Sequence, residues 1–217
     1  MTYKQSLNYQ NVQLGDFETE GMLDIPVIKP LKDFDEADVS FLGFNYAMSE
    51  KSPSDKTLHF YLDDYQFERV WNTPSRYLDI VSRFKYVLSP DFSLFTDFPI
   101  ALNMYNHYRK HWVAAYWQSH GIKVIPTICW SNRETFAWCF DGEPKGSVVS
   151  VSSIGANYSK ASREAFIEGY EAMEGTIYPS KVLFYGKPFE ELKNRDNIVY
   201  VQNEQIARLR NIKIVKA

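Results

Sequence analysis

Two aspartates stand directly after short apolar runs, where predicted strands end. Asp63 follows residues 57–62, and Asp91 follows residues 86–89. Two carboxylates held together can bind Mg²⁺ or Mn²⁺, or can act as an acid/base pair because each shifts the pKa of the other. We therefore predict Asp91 and Asp63 as catalytic residues and as candidate metal ligands. An aspartate after a strand can also cap the next helix or form an Asx turn, so that alternative stays open.

Other side chains suited to ligand binding follow the same predicted strands or later ones. An indole ring can stack on a ligand ring, hydroxyl and amide groups can hydrogen-bond to it, and a lysine can reach a phosphate. The predicted ligand-binding residues are Ser93, Trp130, Ser131, Asn132 and Lys187. Ser131 has a second interpretation, because Ser131 and Glu134 have the spacing of a helix capping box.

Familiar catalytic and cofactor motifs are missing from the sequence. It has no glycine-rich phosphate loop and no Gly-x-Ser-x-Gly turn. Its two cysteines, Cys129 and Cys139, are too few for a four-cysteine zinc site or an iron–sulfur cluster. Cys129 could be a nucleophile, although a buried apolar role is the simpler interpretation. Metal chemistry, if present, is therefore expected from oxygen ligands.

The elements that would position these residues centre on residues 85–130. Two short apolar runs flank a long amphipathic run that Gly121 closes, which is typical of a βαβ unit. Strand and helix patterns alternate at least four times after residue 57, which predicts an α/β fold with mostly parallel strands. Ligands of such folds bind at the carboxyl ends of the strands, where the candidate residues lie.

The long helix from residue 99 has an apolar stripe and a polar stripe. Leu102, Tyr105, Trp112 and Tyr116 recur at three- and four-residue steps. The spacing predicts that this stripe is buried. The polar stripe is then predicted on the outside, where it would form a basic patch for an acidic partner; it contains His107, Arg109, Lys110 and His111.

Chain length leaves two architectures open. With 217 residues the chain is short for a closed eight-stranded barrel, which usually takes about 250 residues. An incomplete (βα) barrel of six or seven strands is favoured over an open doubly wound sheet, since no glycine-rich nucleotide turn follows an early strand. We predict an N-terminal arm at 1–38, a single α/β domain at 39–204 and a basic C-terminal segment at 205–217.

Composition argues against several classes of protein. A formal net charge of -3 gives no general attraction to nucleic acid, so a dedicated DNA-binding module is disfavoured. The N-terminus lacks the apolar core of a signal peptide, and no apolar run is long enough to cross a bilayer. We expect a soluble cytoplasmic protein without a membrane partner.

The central stretch also resembles a known family. The resemblance rests on residues 89–93, the helix at 103–117, the strand at 125–130, Gly155 and residues 185–186. Together they resemble the domain-of-unknown-function family numbered forty-four seventeen, found in phages and other mobile elements, over roughly residues 35–190. The resemblance implies a mobile-element protein of the bacterial cytoplasm but no catalytic residue.

Two functional hypotheses follow. The first is an accessory protein that binds a nucleotide or nucleic-acid component at the strand ends and hydrolyses it with metal assistance. The second is a non-enzymatic protein that sequesters or inhibits a host defence factor. The oligomeric state is left open by the sequence.

Overall fold

The computed structural model describes residues 1–201, apart from the side chain of Asp38. The predicted basic segment at 205–217 lies outside the described residues, as do residues 202–204.

The chain begins with a helix and a small hairpin. Helix α1 (Tyr3–Tyr9) starts with a capping box in which Thr2 and Gln5 satisfy each other's backbone N–H groups. Strands β1 (Thr19–Glu20) and β2 (Ile25–Pro26) pair antiparallel. Ile25 and Ile28 are fully buried, and the Ile28 N–H donates to the Gly142 carbonyl at 2.9 Å. This N-terminal part therefore packs on the remainder of the chain.

Four parallel strands form the first sheet. They are β3 (Phe41–Gly43), β4 (Thr57–His59), β5 (Tyr86–Leu88) and β6 (Val124–Ile125), in that spatial order. The connections between them include the helices α2 (Glu68–Asn72), α3 (Pro74–Val81) and α4 (Ile100–Ser119). Pro74 occupies the first turn of α3, where its missing N–H needs no partner.

Three parallel strands form the second sheet. They are β7 (Val148–Ser152), β8 (Lys181–Tyr185) and β9 (Ile198–Val201), with α5 (Lys160–Ile177) between the first two. A single parallel bridge between Thr127 and Ser150 connects the two sheets. The Ser150 N–H donates to the Pro126 carbonyl and the Ile128 N–H to the Ser150 carbonyl, both at 2.8 Å. The predicted parallel α/β fold is confirmed, with strands in chain order in both sheets.

Short 3-10 helices complete the described chain, and one of them departs from a sequence prediction. They span Glu36–Asp38, Phe44–Tyr46, Pro53–Asp55, Asp64–Gln66, Arg133–Ala137 and Glu190–Leu192. The predicted capping box of Ser131 is wrong, because the helix there follows Asn132 and has no side-chain cap. Helix α5 continues past Gly175 to Ile177, whose side chain is fully buried in the core.

Strand residues alternate between two packing layers. Leu58, Val87 and Val124 pack with the helices α3 and α4 in one layer. The opposite layer contains side chains of both sheets: Phe41, Tyr86, Leu88, Ile125, Val148, Leu183, Tyr185 and Val201. In it the rings of Phe41 on β3 and Tyr185 on β8 lie 5.7 Å apart. The two sheets therefore share one interior.

The predicted outward orientation of the polar stripe of α4 is wrong. His107, Lys110 and His111 are fully buried and Arg109 is 8% exposed, whereas the predicted buried residue Leu102 is 41% exposed. Every residue of α4 from Asn106 to Trp117 is buried or nearly so. The charges are tolerated inside because partners from distant segments satisfy them.

Lys110 is the centre of this buried polar network. Its Nζ donates to Glu143 Oε1 at 2.8 Å and to the Thr127 carbonyl at 2.9 Å. His111 contacts Glu143 Oε1 through Nε2 and the Pro26 carbonyl through Nδ1, both at 2.9 Å. Burial opposes the charge of Lys110, but Cys129 and Glu143 nearby raise its pKa above the usual value. Burial likewise opposes ionisation of Glu143, but Lys110 and His111 hold its pKa low, so the pair stays ionised.

Replacing Glu143 by Gln should lower the free energy of unfolding by about 3–5 kcal/mol, because the buried Lys110 charge loses its counter-charge. The double variant Lys110→Met/Glu143→Gln should lose less than the sum of the two single variants. Urea unfolding followed by circular dichroism measures these differences. Glu164→Gln, in the exposed Lys160–Glu164 pair, is the control and should change stability by less than about 0.5 kcal/mol. Strictly additive losses would contradict the coupling.

Candidate functional site

A cavity of about 610 Å³ opens at the carboxyl ends of the strands β4 to β7. Its walls come from the segments that follow β4, β5 and β6 and from the end of β7, with one residue from α5. The lining residues are Tyr61, Leu62, Asp63, Gln66, Asp91, Ser93, Leu94, Phe95, Ile128, Cys129, Trp130, Ser152, Ile154, Gly155, Tyr158 and Phe166. The volume lies within the range typical of small-molecule sites.

Four of the predicted site residues line this cavity, namely Asp63, Asp91, Ser93 and Trp130. Their functional roles stay predictions.

The structure does not place the other three predicted residues in the cavity wall. Ser131 is buried and its N–H donates to Thr135 Oγ1 at 3.2 Å. Asn132 and Lys187 are exposed, and the Lys187 carbonyl accepts from Ser153 Oγ at 2.9 Å. Ser131 and Asn132 come just after Trp130, the last residue of the β6 loop that lines the cavity. Lys187 follows β8, a strand whose end contributes no lining residue.

The loop that carries Asp91 is fixed by side chains on both sides. The Asp64 carboxylate accepts from the Ser93 N–H at 3.1 Å and from Ser93 Oγ at 2.8 Å. Asn106 of α4 donates to the Ser93 carbonyl at 2.7 Å. Asn103 exchanges two hydrogen bonds with the backbone of Phe95. Asp91 therefore stands on a segment with little freedom to move.

Arg109 supports the same loop from beneath. Its guanidinium lies 3.8 Å from the centre of the Phe92 ring, and it donates to Asn106 Oδ1 at 3.1 Å and to Glu68 Oε1 at 2.6 Å. These contacts replace the predicted role of Arg109 in an exterior patch. The guanidinium instead stacks beneath the site loop and connects it to α2.

The Asp91 carboxyl group has a pKa shifted by its surroundings. Burial raises its pKa to about 7; the Lys110 charge acts against this shift and the Asp64 carboxylate adds to it. Asp91 is half-buried and faces the cavity, while Asp63 is exposed at its edge. Near neutral pH, Asp91 can therefore both donate and accept a proton, which a general acid or base requires.

The floor of the cavity is polar but not nucleophilic. Ser150 Oγ donates to the Leu183 carbonyl at 3.0 Å, so the Tyr61 hydroxyl donates to Ser150 Oγ at 2.7 Å. Burial raises the pKa of Cys129 to about 12, although the Lys110 charge lowers it in part. Cys129 is thus a thiol at neutral pH, and the nucleophile interpretation loses its support.

Trp130 forms an aromatic wall of the cavity. Its ring centre lies 5.2 Å from that of Phe166 on α5. The indole also lies against Gly169 of the same helix, where a Cβ atom would overlap its Nε1. The absence of a side chain at position 169 is therefore what allows the indole to occupy this position.

Residues 1–201 include no group of three or more His, Cys, Asp or Glu side chains placed to hold a metal ion. An ion held by Asp63 and Asp91 would need further oxygen ligands from water or a bound molecule.

Within residues 1–201, no helix has the length and apolar character to cross a membrane.

Sequence reasoning missed several residues of the site. Tyr61 lies two residues after the end of β4, so the rule that pointed to Asp63 and Asp91 could have found it. Lys110 and Glu143, which lie behind the wall, carry no comparable local signal. Glu143 sits in a turn between two glycines, where a solvent-exposed side chain is the usual expectation.

The site is thus a strand-end cavity in a parallel α/β protein, lined by rings, hydroxyls and carboxylates. The family described as "Domain of unknown function (DUF4417)" matches residues 17–203. The chain belongs to the DUF4417 family, which confirms the resemblance seen in the sequence.

Two phage proteins are similar to the chain. The "Gene 1 protein" of Mycobacterium phage L5 is 42% identical over 171 residues, which cover 79% of this chain and 74% of that protein. The "Gene 1 protein" of Mycobacterium phage D29 is 39% identical over 171 residues, or 79% of this chain and 63% of that protein. No solved structure matches the chain.

Replacing Asp91 by Asn should stabilise the protein relative to the wild type by an amount that grows as the pH rises from about 4 to about 7. The raised pKa means that the folded state keeps the Asp91 proton to about pH 7, whereas the unfolded chain loses it near its ordinary pKa of 3.8. Asp91 therefore costs wild-type stability over this interval. His107 and His111, whose pKa values are lowered chiefly by burial, have the opposite trend, but they are present in both proteins.

The measurement is the difference in free energy of unfolding between the variant and the wild type at several pH values. Asp97→Asn, an exposed aspartate of the same loop outside the cavity wall, is the control. A difference for Asp91→Asn that does not change with pH would show that burial does not shift the pKa of Asp91.

Replacing Gly169 by Ala should destabilise the protein and displace the Trp130 indole, because the added Cβ atom has no room. Gly175→Ala in the same helix is the matched control, since a Cβ atom there meets nothing within 4 Å. That change should stabilise the protein by about 0.5–1 kcal/mol through helix propensity. Thermal unfolding and tryptophan fluorescence report both effects. The same change in stability and in fluorescence for both variants would contradict the close contact between Gly169 and Trp130.

Proposed function

We propose that this protein binds a nucleotide or nucleic-acid component in the strand-end cavity. The observation that carries the proposal is the combination of aromatic faces and polar groups around one open cavity. Trp130 and Tyr158 offer rings, while Asp91, Gln66 and Ser152 offer hydrogen-bonding groups. Such pockets bind ring-containing ligands because stacking holds the ring and a few polar groups set its orientation.

The proposal extends to metal-assisted hydrolysis. Asp91 would act as the acid/base group, since its pKa of about 7 allows proton transfer in both directions near neutral pH. In the alternative role, Asp91 would be ionised and would hold Mg²⁺ or Mn²⁺ together with Asp63, with remaining positions filled by water and by oxygens of the ligand, as Mg²⁺ commonly requires. The shared cavity wall supports this pairing of the two carboxyl groups.

We also propose that the strands form an incomplete (βα) barrel. The seven strands β3 to β9 follow one another in chain order, with the bridge at Thr127 and Ser150 between the sheets. Side chains of β3 and β8 meet in the shared interior, as the 5.7 Å distance between the Phe41 and Tyr185 rings indicates. An experimental structure in which β3 and β9 face away from each other would contradict this architecture.

The ligand proposal is tested by thermal unfolding with nucleosides, nucleotides and short oligonucleotides, each with and without Mg²⁺ or Mn²⁺. A ligand at about 100 times its dissociation constant adds about 2.7 kcal/mol of stability, which raises the melting temperature measurably. We expect a rise for wild type that is reduced in Asp91→Asn and retained in Asp97→Asn. If no compound shifts the melting temperature or gives a calorimetric signal, the proposal is overturned.

An interaction protein that sequesters a host factor is the second candidate. Exposed apolar side chains favour it: the rings of Phe95 and Phe98 pack edge to face at 4.7 Å beside the start of α4, where Ile100 and Leu102 are also exposed. Binding of a purified host protein that is lost in Leu102→Ser but kept in Met22→Ser, at another exposed site, would support it. Either function is proposed for the bacterial cytoplasm, which cell fractionation would test.

A further inference from the structure

The charge of the cavity wall restricts which part of a nucleotide the cavity can hold. Its lining includes the two acidic residues Asp63 and Asp91, and within residues 1–201 no Lys, Arg or His contributes to that lining. Phosphate sites in proteins ordinarily supply cations, backbone N–H groups at a helix start, or a metal ion. A phosphate placed in this cavity without a metal ion would instead meet like charge.

The nearest buried cation does not change this conclusion. Lys110 influences Asp91 electrostatically, but its side chain is fully buried and does not line the cavity. Two of its donors are directed to Glu143 Oε1 and to the Thr127 carbonyl. The charge is already balanced by Glu143, so Lys110 is not available to a phosphate in the cavity.

The same wall suits an uncharged ring with N–H donors. Trp130 is held in place by Phe166 and by the missing side chain at Gly169, which gives the cavity a fixed aromatic wall. Tyr158 lines the cavity with a ring that is 90% exposed and therefore accessible to a ligand. The Asp91 carboxyl and the Gln66 amide can hydrogen-bond to the polar edge of a base, as in protein readout of unpaired bases.

We infer that the cavity takes an uncharged nucleobase or nucleoside, and that a phosphate group on the ligand weakens binding unless a divalent cation accompanies it. This inference rests on the proposed function and specifies its ligand class. It follows from the wall as a whole, which combines rings, hydrogen-bonding groups and acidic residues without basic ones.

The test is isothermal titration calorimetry of wild-type protein with adenosine, guanosine, cytidine, uridine and thymidine, and with their 5′-monophosphates, all in EDTA. At least one nucleoside should bind about tenfold more tightly than its monophosphate, as like-charge repulsion predicts. Asp63→Asn removes one carboxylate from the wall and should reduce that ratio. Asp97→Asn, outside the wall on the same loop, should leave it unchanged.

The outcomes separate the inference from the proposed function. A monophosphate that binds as tightly as its nucleoside in EDTA overturns the inference and leaves the proposed function standing. Binding of nucleotides only in the presence of added Mg²⁺ or Mn²⁺ likewise overturns the inference and leaves the proposed function standing. No binding of any compound up to about 1 mM, with or without metal, overturns both, because that affinity is weaker than a specific site should give.

Discussion

Lys110 brings a positive charge into the interior, and four separate segments meet around it. Glu143 supplies the carboxylate and Thr127 a carbonyl oxygen, and His111 connects Glu143 to Pro26 of the N-terminal hairpin. A buried charge is tolerated only when its partners are held at hydrogen-bonding distance. The positions of α4, the turn after Phe140, the end of β6 and the hairpin are therefore linked by one electrostatic requirement.

Hydrogen bonds at the ends of β5 and β6 connect the Lys110 network to the cavity. Thr127, whose carbonyl accepts a hydrogen bond from Lys110, also donates through Oγ1 to the Ser89 carbonyl at 2.9 Å, and its N–H donates to Ser89 Oγ at 2.7 Å. The ends of β5 and β6 are thus joined just before Asp91 and Cys129 enter the cavity wall. On a neighbouring stripe of α4, Asn103 and Asn106 hold the loop beyond Asp91. One helix therefore fixes both the strand ends beneath the cavity and the loop that lines it.

Sequence patterns predicted the class of fold and the edge of the sheet where the cavity lies, but not the orientation of α4. The alternation of strands and helices could be predicted because strand periodicity and flanking turns are local properties. Asp63, Asp91 and Trp130 could be placed at one edge since parallel strands end together. The orientation of α4 could not be predicted, because periodicity shows which residues share a face but not which face meets solvent. That depended on Glu143, whose pairing with Lys110 spans 33 residues.

The balance within the Lys110 network also accounts for the unusual state of Asp91. A lysine near a carboxylate ordinarily lowers the carboxylate's pKa, and Lys110 does act in that direction on Asp91. Lys110 forms its direct ion pair with Glu143, however. The effect of burial on Asp91 is therefore larger than the effect of the Lys110 charge, and the pKa of Asp91 rises. A carboxyl group left without a counter-charge in a cavity serves no evident packing purpose, and groups of this kind concentrate at functional sites.

The residues that match the family include those that form the cavity. The match from residue 17 to 203 includes the β1–β2 hairpin, whose Pro26 carbonyl contacts His111, and it excludes helix α1. The part of the chain that defines the family is therefore the part that encloses Lys110, holds the Asp91 loop and forms the cavity.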